Sequence, residues 1–382
     1  MGLFLIVFFS LYTVMHLYAF LRAKAAFAFG MGTTVPLLVF MAVMILAPVL
    51  VRVAEKHGLE TVARSFSYIG YIWLGVIFLF CSASAVTDIY RLSVHAGGLI
   101  FKPILKNDLS FLGPSAVSSF LLPLIVSVSI AVYGYFEALD IRTERIIINT
   151  PKISKETGRL TIVQISDVHI GLIVREERLG RILAEVKKAK PDILVATGDL
   201  VDGQIDNCSG LSDMLREITP RYGKFAITGN HEFIAGTRQS LEFIKNAGFT
   251  MLRGQYIIGP VNIAGVDDPI SNRFGENRTS SEKELLSGLS KDKFTLLLKH
   301  RPLVDKGSVG LFDLQLSGHV HKGQIFPFSL LTKFYYDYYA GFARLSDISS
   351  LYVSRGSGTW GPPIRFLAPP EITVIELVSE AR

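Results

Sequence analysis

Four long apolar runs followed by a change of rhythm organise the chain. Residues 1–21, 25–51, 65–87 and 109–136 contain no Asp, Glu, Lys or Arg. Each reaches the length of about 20 residues that an α-helix needs to cross the hydrocarbon core of a bilayer. Beyond Phe136 no comparable run occurs. The pattern predicts an α-helical transmembrane domain of about four spans over residues 1–136. A charged, turn-rich linker is expected over 137–158 and a second domain over 159–382. The first run does not fit a cleaved leader, because no basic residue precedes it and three more runs follow.

From Arg159 onward short β-branched runs alternate with amphipathic stretches, the mark of an α/β layer fold. "RLTIVQIS", "DILVAT" and "GKFAIT" predict strands, and "REERLGRILAEVKKAK" predicts a helix with its apolar stripe at Leu179, Ile182, Leu183 and Val186. "TRQSLEFIKNAG" predicts a second helix stopped by Gly248. "YIIGPVNIAGV" reads as a hairpin and Ser281 to Leu289 as a helix. "FTLLLK", "FDLQLS", "SLYVSRG" and "EITVIELV" complete the strands. There is no internal repeat.

Composition agrees with a membrane-anchored, multi-pass chain, since 49% of the residues are apolar. The net charge of +6 is spread without a basic block, so no nucleic-acid partner is expected, and a lipid bilayer is. Cys81 falls in a predicted span and Cys208 in the second domain, which leaves no intradomain disulfide. If both ends lie inside, the inner loops carry Arg52, Lys56, Arg64, Arg142, Arg145 and Lys152 against Arg22, Lys24, Arg91, Lys102 and Lys106 outside. Six against five favours the cytoplasmic face of the cell membrane by one residue, while Arg22 and Lys24 directly after the first run point the other way.

The chemistry gathers where predicted strands end. "SDVHIG" carries Asp167 and His169, "TGDLVDG" Asp199 and Asp202, "TGNHE" Asn230, His231 and Glu232, "KHRP" His300, and "SGHVHKG" His319 and His321. All five histidines of the second domain fall in these motifs, and the remaining three are His16, His57 and His95. Scattered structural histidines, each satisfied by local hydrogen bonds, would seldom coincide in this way. In an extended segment residues i and i+2 point the same way, so Asp167 with His169, and His319 with His321, are each expected to send two ligands to one side. Mixed carboxylate, amide and imidazole donors, more than four in number, suit two divalent ions such as Mn, Fe, Zn or Co.

The ordered set D-x-H, GDxxD, GNHE, H and GHxH resembles the calcineurin-like dinuclear metallophosphoesterases. The tail "LYVSRGSGTWGPPIRFLAPPEITVIEL" is similar to the membrane-associated branch of that family. Residues 1–136 lie outside the resemblance. It implies a four-layer α/β/β/α sandwich and metal-dependent hydrolysis of a phosphate ester or pyrophosphate bond. It further implies Asp167, His169, Asp199 and His321 on a first ion, and Asp199 as a bridge with Asn230, His300 and His319 on a second. A pair of ions lowers the pKa of a bridging water for in-line attack on phosphorus. His231 matches the family's acid that protonates the leaving oxygen.

Other polar residues stay open. Lys299 and Lys322 either touch a substrate phosphate or are solvated surface lysines. Asp202 and Glu232 either orient ligating imidazoles or start helices. His16, inside a span, is read as structural, and Asp267 with Asp268 as a turn. The aromatic segment Phe326 to Phe342 reads either as a loop or short helix covering the sheet or as an apolar lip facing the membrane anchor. The lip would suit a phosphorylated small molecule or phospholipid-like substrate, including a lipid-linked one. The rival function is a membrane receptor or scaffold whose phosphoesterase-like domain binds a ligand or partner without turnover. A transporter lacks the intramembrane charges that solute paths use.

Overall fold

The structure is a computed structural model that describes residues 2–105, 109–203, 209–276 and 281–380. Lys106 and Cys208 lie outside them. The chain divides into two compact units, Met1–Tyr135 with Gly361–Ile364, and Phe136–Trp360 with Arg365–Arg382.

The first unit consists of α1 (Gly2–Phe27), α2 (Met31–Lys56), α3 (Glu60–Leu105) and α4 (Ala116–Glu137). All four are long and apolar enough to cross a membrane. Their outward side chains, among them Leu21, Ile125 and Val132, are exposed and apolar. Water disfavours such a surface and lipid does not. α3 extends past the uncharged stretch, and within that extension Asp88 pairs with Arg22 at 2.9 Å and accepts from Tyr18 Oη at 2.5 Å. His16 is structural here: Nδ1 lies 2.7 Å from the Tyr12 carbonyl and Nε2 accepts from Trp73 Nε1 at 2.8 Å, so both ring nitrogens are satisfied.

In the second unit the elements run β1 (Arg142–Thr150), β2 (Arg159–Ile165), α5 (Glu176–Ala189), β3 (Ile193–Thr197), α6 (Ser209–Arg216), β4 (Lys224–Ile227), α7 (Asn230–Ala235), α8 (Thr237–Asn246) and β5 (Thr250–Met251). β6 (Gln255–Ile258), β7 (Asn262–Gly265), α9 (Glu282–Ser287), β8 (Thr295–Leu298), β9 (Leu314–Ser317), α10 (Phe328–Tyr335), β10 (Gly341–Arg344), β11 (Ser350–Val353) and β12 (Glu371–Ser379) follow. They build two six-stranded sheets, ordered β1-β12-β2-β3-β4-β5 and β10-β11-β9-β8-β7-β6. β2 through β5 are mutually parallel, as are β7, β8, β9 and β11.

Parallel strands covered on both faces read as unbroken apolar runs. β3 and β8 are accordingly buried at every position. Between the sheets Ile162, Val195 and Ile227 meet Ile263, Leu298 and Leu316 in one core. Outside the first sheet α5 buries Leu179, Ile182, Leu183 and Val186. On the second sheet's outer face Leu285 and Leu286 of α9 pack with Val266, Leu297 and Phe312. The result is the expected four-layer α/β/β/α sandwich.

The stretch 137–158 is not the linker its charges suggest. It contains β1, paired in parallel with β12 from Arg142 opposite Glu371 to Thr150 opposite Ser379. The charges are those of a half-exposed edge strand. Arg145 and Arg159 both reach Glu376, and Glu144 pairs with Arg355.

Candidate metal centre

The sequence-predicted residues come together at the carboxyl ends of β2, β3, β4, β8 and β9, where parallel sheets open a crevice. Asp167, His169 and His321 form one group, and Asp199, His300 and His319 another, each with donor atoms within 4.8 Å of one another. The Nε2 atoms of His169 and His321 face each other at 3.1 Å, with Asp167 Oδ1 3.5 Å from the latter. In the other group His319 Nδ1 lies 3.2 Å from His300 Nε2, itself 3.2 Å from Asp199 Oδ2. Asp199 Oδ2 is also 3.9 Å from His169 Nε2, so this carboxylate stands between the groups. Two donors on one ion, each bonded at about 2.0–2.2 Å, sit about 3 Å apart when cis, which is the spacing seen.

Backbone geometry explains how short loops aim so many side chains inward. Asp167, His169, Asp199, His319 and His321 all have positive φ, between 47° and 72°. Left-handed backbone is uncommon outside glycine and costs about 1–3 kcal/mol where surroundings enforce it. The extended-segment reason for pairing residues i and i+2 is therefore incorrect. Sharp left-handed turns, not a pleat, direct the pairs, and His319 and His321 end in different groups. Gly318 and Gly229 are required by space: a Cβ at Gly318 would sit 2.1 Å from Asp167 Oδ2, and one at Gly229 the same distance from Asp199 Oδ1.

Four of the donors, His169, His319, His321 and Asp199, are in the state a cation needs. Burial pushes the His169 pKa down to about 4 and those of His319 and His321 far below the usual range, leaving neutral imidazoles with free lone pairs. Asp199 is held charged, because His300 and His231 outweigh its burial. Asn230 Oδ1 and His169 Nδ1 are buried without a hydrogen-bond partner. Asn230 precedes His231, whose amide donates to Asp199 Oδ1, and a buried amide oxygen left unpaired is costly in isolation and satisfied by a divalent ion. The residues present thus fit the metal ions that the donor set implies.

His231 forms a third such group with His169 and Asp199, its donor atom within 4.8 Å of theirs. Its ring meets that of His169 edge-on at 4.7 Å, its amide donates to Asp199 Oδ1 at 2.8 Å, and its Nδ1 lies 2.8 Å from Asp202 Oδ1. Burial lowers its pKa, yet Asp199, Asp202 and Glu232 outweigh burial and hold it at about 9. Asp202 is thus the orienting partner of an imidazole. Glu232 does two jobs at once. Its carboxyl accepts from the Gly229 amide at the start of α7 at 2.6 Å, and also from the amides of Asp199, Leu200 and Val201 at 3.0, 2.7 and 3.3 Å.

Other residues resolve differently. Lys299 is neither solvated nor free for phosphate, since Glu282 holds it at 2.7 Å. Asp267 and Asp268 are buried anchors for arginines: Arg253 lies 2.9 Å from Asp267, and Arg301 lies 2.7 Å from Asp268. Arg365 was not legible as a site residue. Fully buried, it donates to the carbonyls of Gly358, Arg355, Ala368 and His321, and its Nη2 lies 2.9 Å from His321 Nδ1. Its signal in the sequence was no more than one of two arginines, with Arg355, in the Gly- and Pro-rich tail.

A two-sheet sandwich with carboxylate, amide and imidazole donors gathered at its strand ends defines the metallophosphoesterase class. The family model for calcineurin-like phosphoesterases matches residues 160–323. An uncharacterised metallophosphoesterase of Aquifex aeolicus is 38% identical over 260 residues, 66% of this chain and 98% of that one. One from Bacillus subtilis is 33% identical over 263 residues, 65% of this chain and 90% of that one. The chain belongs to the calcineurin-like metallophosphoesterase family. A transmembrane protein with metallophosphoesterase domain from Danio rerio is 28% identical over 323 residues, covering 80% of this chain and 74% of the relative. That span exceeds the second unit, so the likeness extends into residues 1–136, beyond the limit drawn from the motifs.

Proposed function

We propose that the protein is a membrane-anchored, metal-dependent phosphoesterase that hydrolyses a phosphate ester or pyrophosphate bond. The observation that carries this reading is the convergence of Asp167, His169, His300, His319 and His321 in two groups flanking Asp199, with the Asn230 oxygen buried and without a hydrogen-bond partner. Asp167, His169, Asp199 and His321 would hold one ion; Asp199, Asn230, His300 and His319 would hold a second. When bound, such ions supply positive charge for the phosphate and lower the pKa of water.

The remaining steps belong to the chain. Neutral His169, His319 and His321 offer lone pairs, and Asp199 offers a charged carboxylate to both halves. His231, with Nδ1 engaged by Asp202, keeps Nε2 for the leaving oxygen and carries a proton there at neutral pH. A lipid-linked phosphate is the substrate class we infer. The apolar helices support it, and the Lys and Arg distribution favours a cytoplasmic second domain. The test is turnover of a soluble and a lipid-linked phosphodiester by the full chain in nanodiscs. Asp199→Asn is expected to lower both metal content and turnover. His231→Ala is expected to keep the metals and lose about 10²–10⁴-fold in rate with poor leaving groups. Stoichiometric metal with no turnover of either substrate would refute the enzyme reading in favour of a binding scaffold.

A further inference from the structure

The aromatic segment after His321 divides into two unlike halves. Tyr336, Tyr338 and Tyr339 pack against Val320, Leu351 and Val353, and so behave as core. α10, directly before them, is inside out: its one buried residue is the polar Thr332, while Phe334 is 90% and Tyr335 81% exposed. Phe328, Leu330 and Leu331 are exposed beside them. A surface helix in water turns the opposite face outward.

The helix is also firmly seated. A Cβ at Gly323 would lie 2.4 Å from Ser329 Cα, so α10 rests on the same turn that carries His321. Tyr336 meets the His319 ring edge-on at 6.0 Å. The exposed face is therefore fixed relative to the donor groups, not a loosely attached flap. Lys333, within the helix, is exposed beside Phe334. Aromatic rings with basic neighbours suit the boundary between acyl chains and headgroups, where the ring is buried and the cation reaches the phosphates.

The chain itself supplies the surface. Only residues 138–141 separate α4 from β1, a tether of about 14 Å at full extension. With α4 in a bilayer, that tether keeps the start of β1 within reach of it. We propose that α10 lies in the headgroup layer, with Leu331, Phe334 and Tyr335 among the lipids and Lys333 at anionic headgroups. The metal centre would then open at the lipid surface. This rests on the membrane anchorage and not on turnover.

The test uses the full chain carrying Cys81→Ala and Cys208→Ser, one molecule per nanodisc containing anionic phospholipid. An environment-sensitive fluorophore is attached at Phe334→Cys and, for comparison, at Ile258→Cys, which is 59% exposed on β6 at the opposite edge of the second sheet. Leu331→Cys provides a second reading of the same face should the first label disturb the helix. Brominated phospholipid is expected to quench the α10 labels several-fold more than the β6 label, and aqueous iodide to quench them less. Equal quenching at both places overturns the proposal. Quenching that appears only when two molecules share a disc overturns it in favour of self-association. Neither result depends on activity, so failure here leaves the proposed chemistry untouched.

Discussion

Gly318→Ala probes how tightly the first donor group is built. The added Cβ would sit 2.0 Å from Ser166 Oγ and 2.1 Å from Asp167 Oδ2, where real contacts of this kind stay above 3.0 Å. Neither oxygen is free to yield. Ser166 Oγ donates to Asp167 Oδ2 at 2.5 Å, and the His319 amide lies 3.0 Å from both carboxylate oxygens. The carboxylate must retreat by about 1 Å, half the length of a ligand bond of about 2.1 Å. Overpacking on this scale costs about 1–3 kcal/mol. In a domain of this size that is about 2–12 °C in Tm. A 1 Å misplacement of a reacting group is worth about 10²-fold in rate. We therefore expect Gly318→Ala to keep its fold, melt earlier, lose metal after dialysis and turn over about 10²-fold more slowly. Adding Ser166→Ala removes the hydroxyl clash but not the carboxylate clash, so it should recover part of the Tm and none of the turnover. Metal content and turnover unchanged in Gly318→Ala would refute the reasoning, because Asp167 would then tolerate displacement and could not be a ligand.

Two further outcomes follow from protonation. Burial lowers the His300 pKa, but Asp199 and Asp167 outweigh burial and hold it at about 10, so an ion binding at Nε2 must displace a proton. Apparent metal affinity should rise with pH through the neutral range, and calorimetry in buffers of different ionisation enthalpy should report proton release; no buffer dependence would remove His300 from the ligand set. Asp202→Asn withdraws one of the carboxylates that hold His231 at about 9. Because the acid acts below its pKa, the alkaline fall in kcat should begin at lower pH in the variant, and an unmoved limb would show that His231 is not the proton donor.

How much was legible in the sequence depended on what each residue's neighbours were. β3 and β8 could be read because both faces are covered, so their apolar runs carry the answer locally. β1 could not, because Arg142, Glu144 and Arg145 look like linker until their partners Glu137, Arg355 and Glu376 are known. The donor residues were visible as types at strand ends, but their directions depend on left-handed backbone that no periodicity reveals. Arg365 reads as a surface cation in isolation. Its cage of carbonyls exists only once the tail folds back beside His321. α10 has the opposite difficulty, since its composition reads as core and its outward face is set by the turn beneath it.

The pairing of β1 with β12 makes the second unit a closed clasp. β1 follows α4 after four residues, and its sheet partner lies some two hundred residues downstream. β12 is in turn knitted to β2 on its other side. A protease that cuts a loop anywhere between them severs the covalent route from the bilayer to β12 but not the nine-residue ladder that fastens it. A nicked chain would therefore stay whole and stay moored, its downstream piece retained by the β1 ladder, the ion pairs of Arg145 with Glu376 and Glu144 with Arg355, and the apolar core without a covalent link.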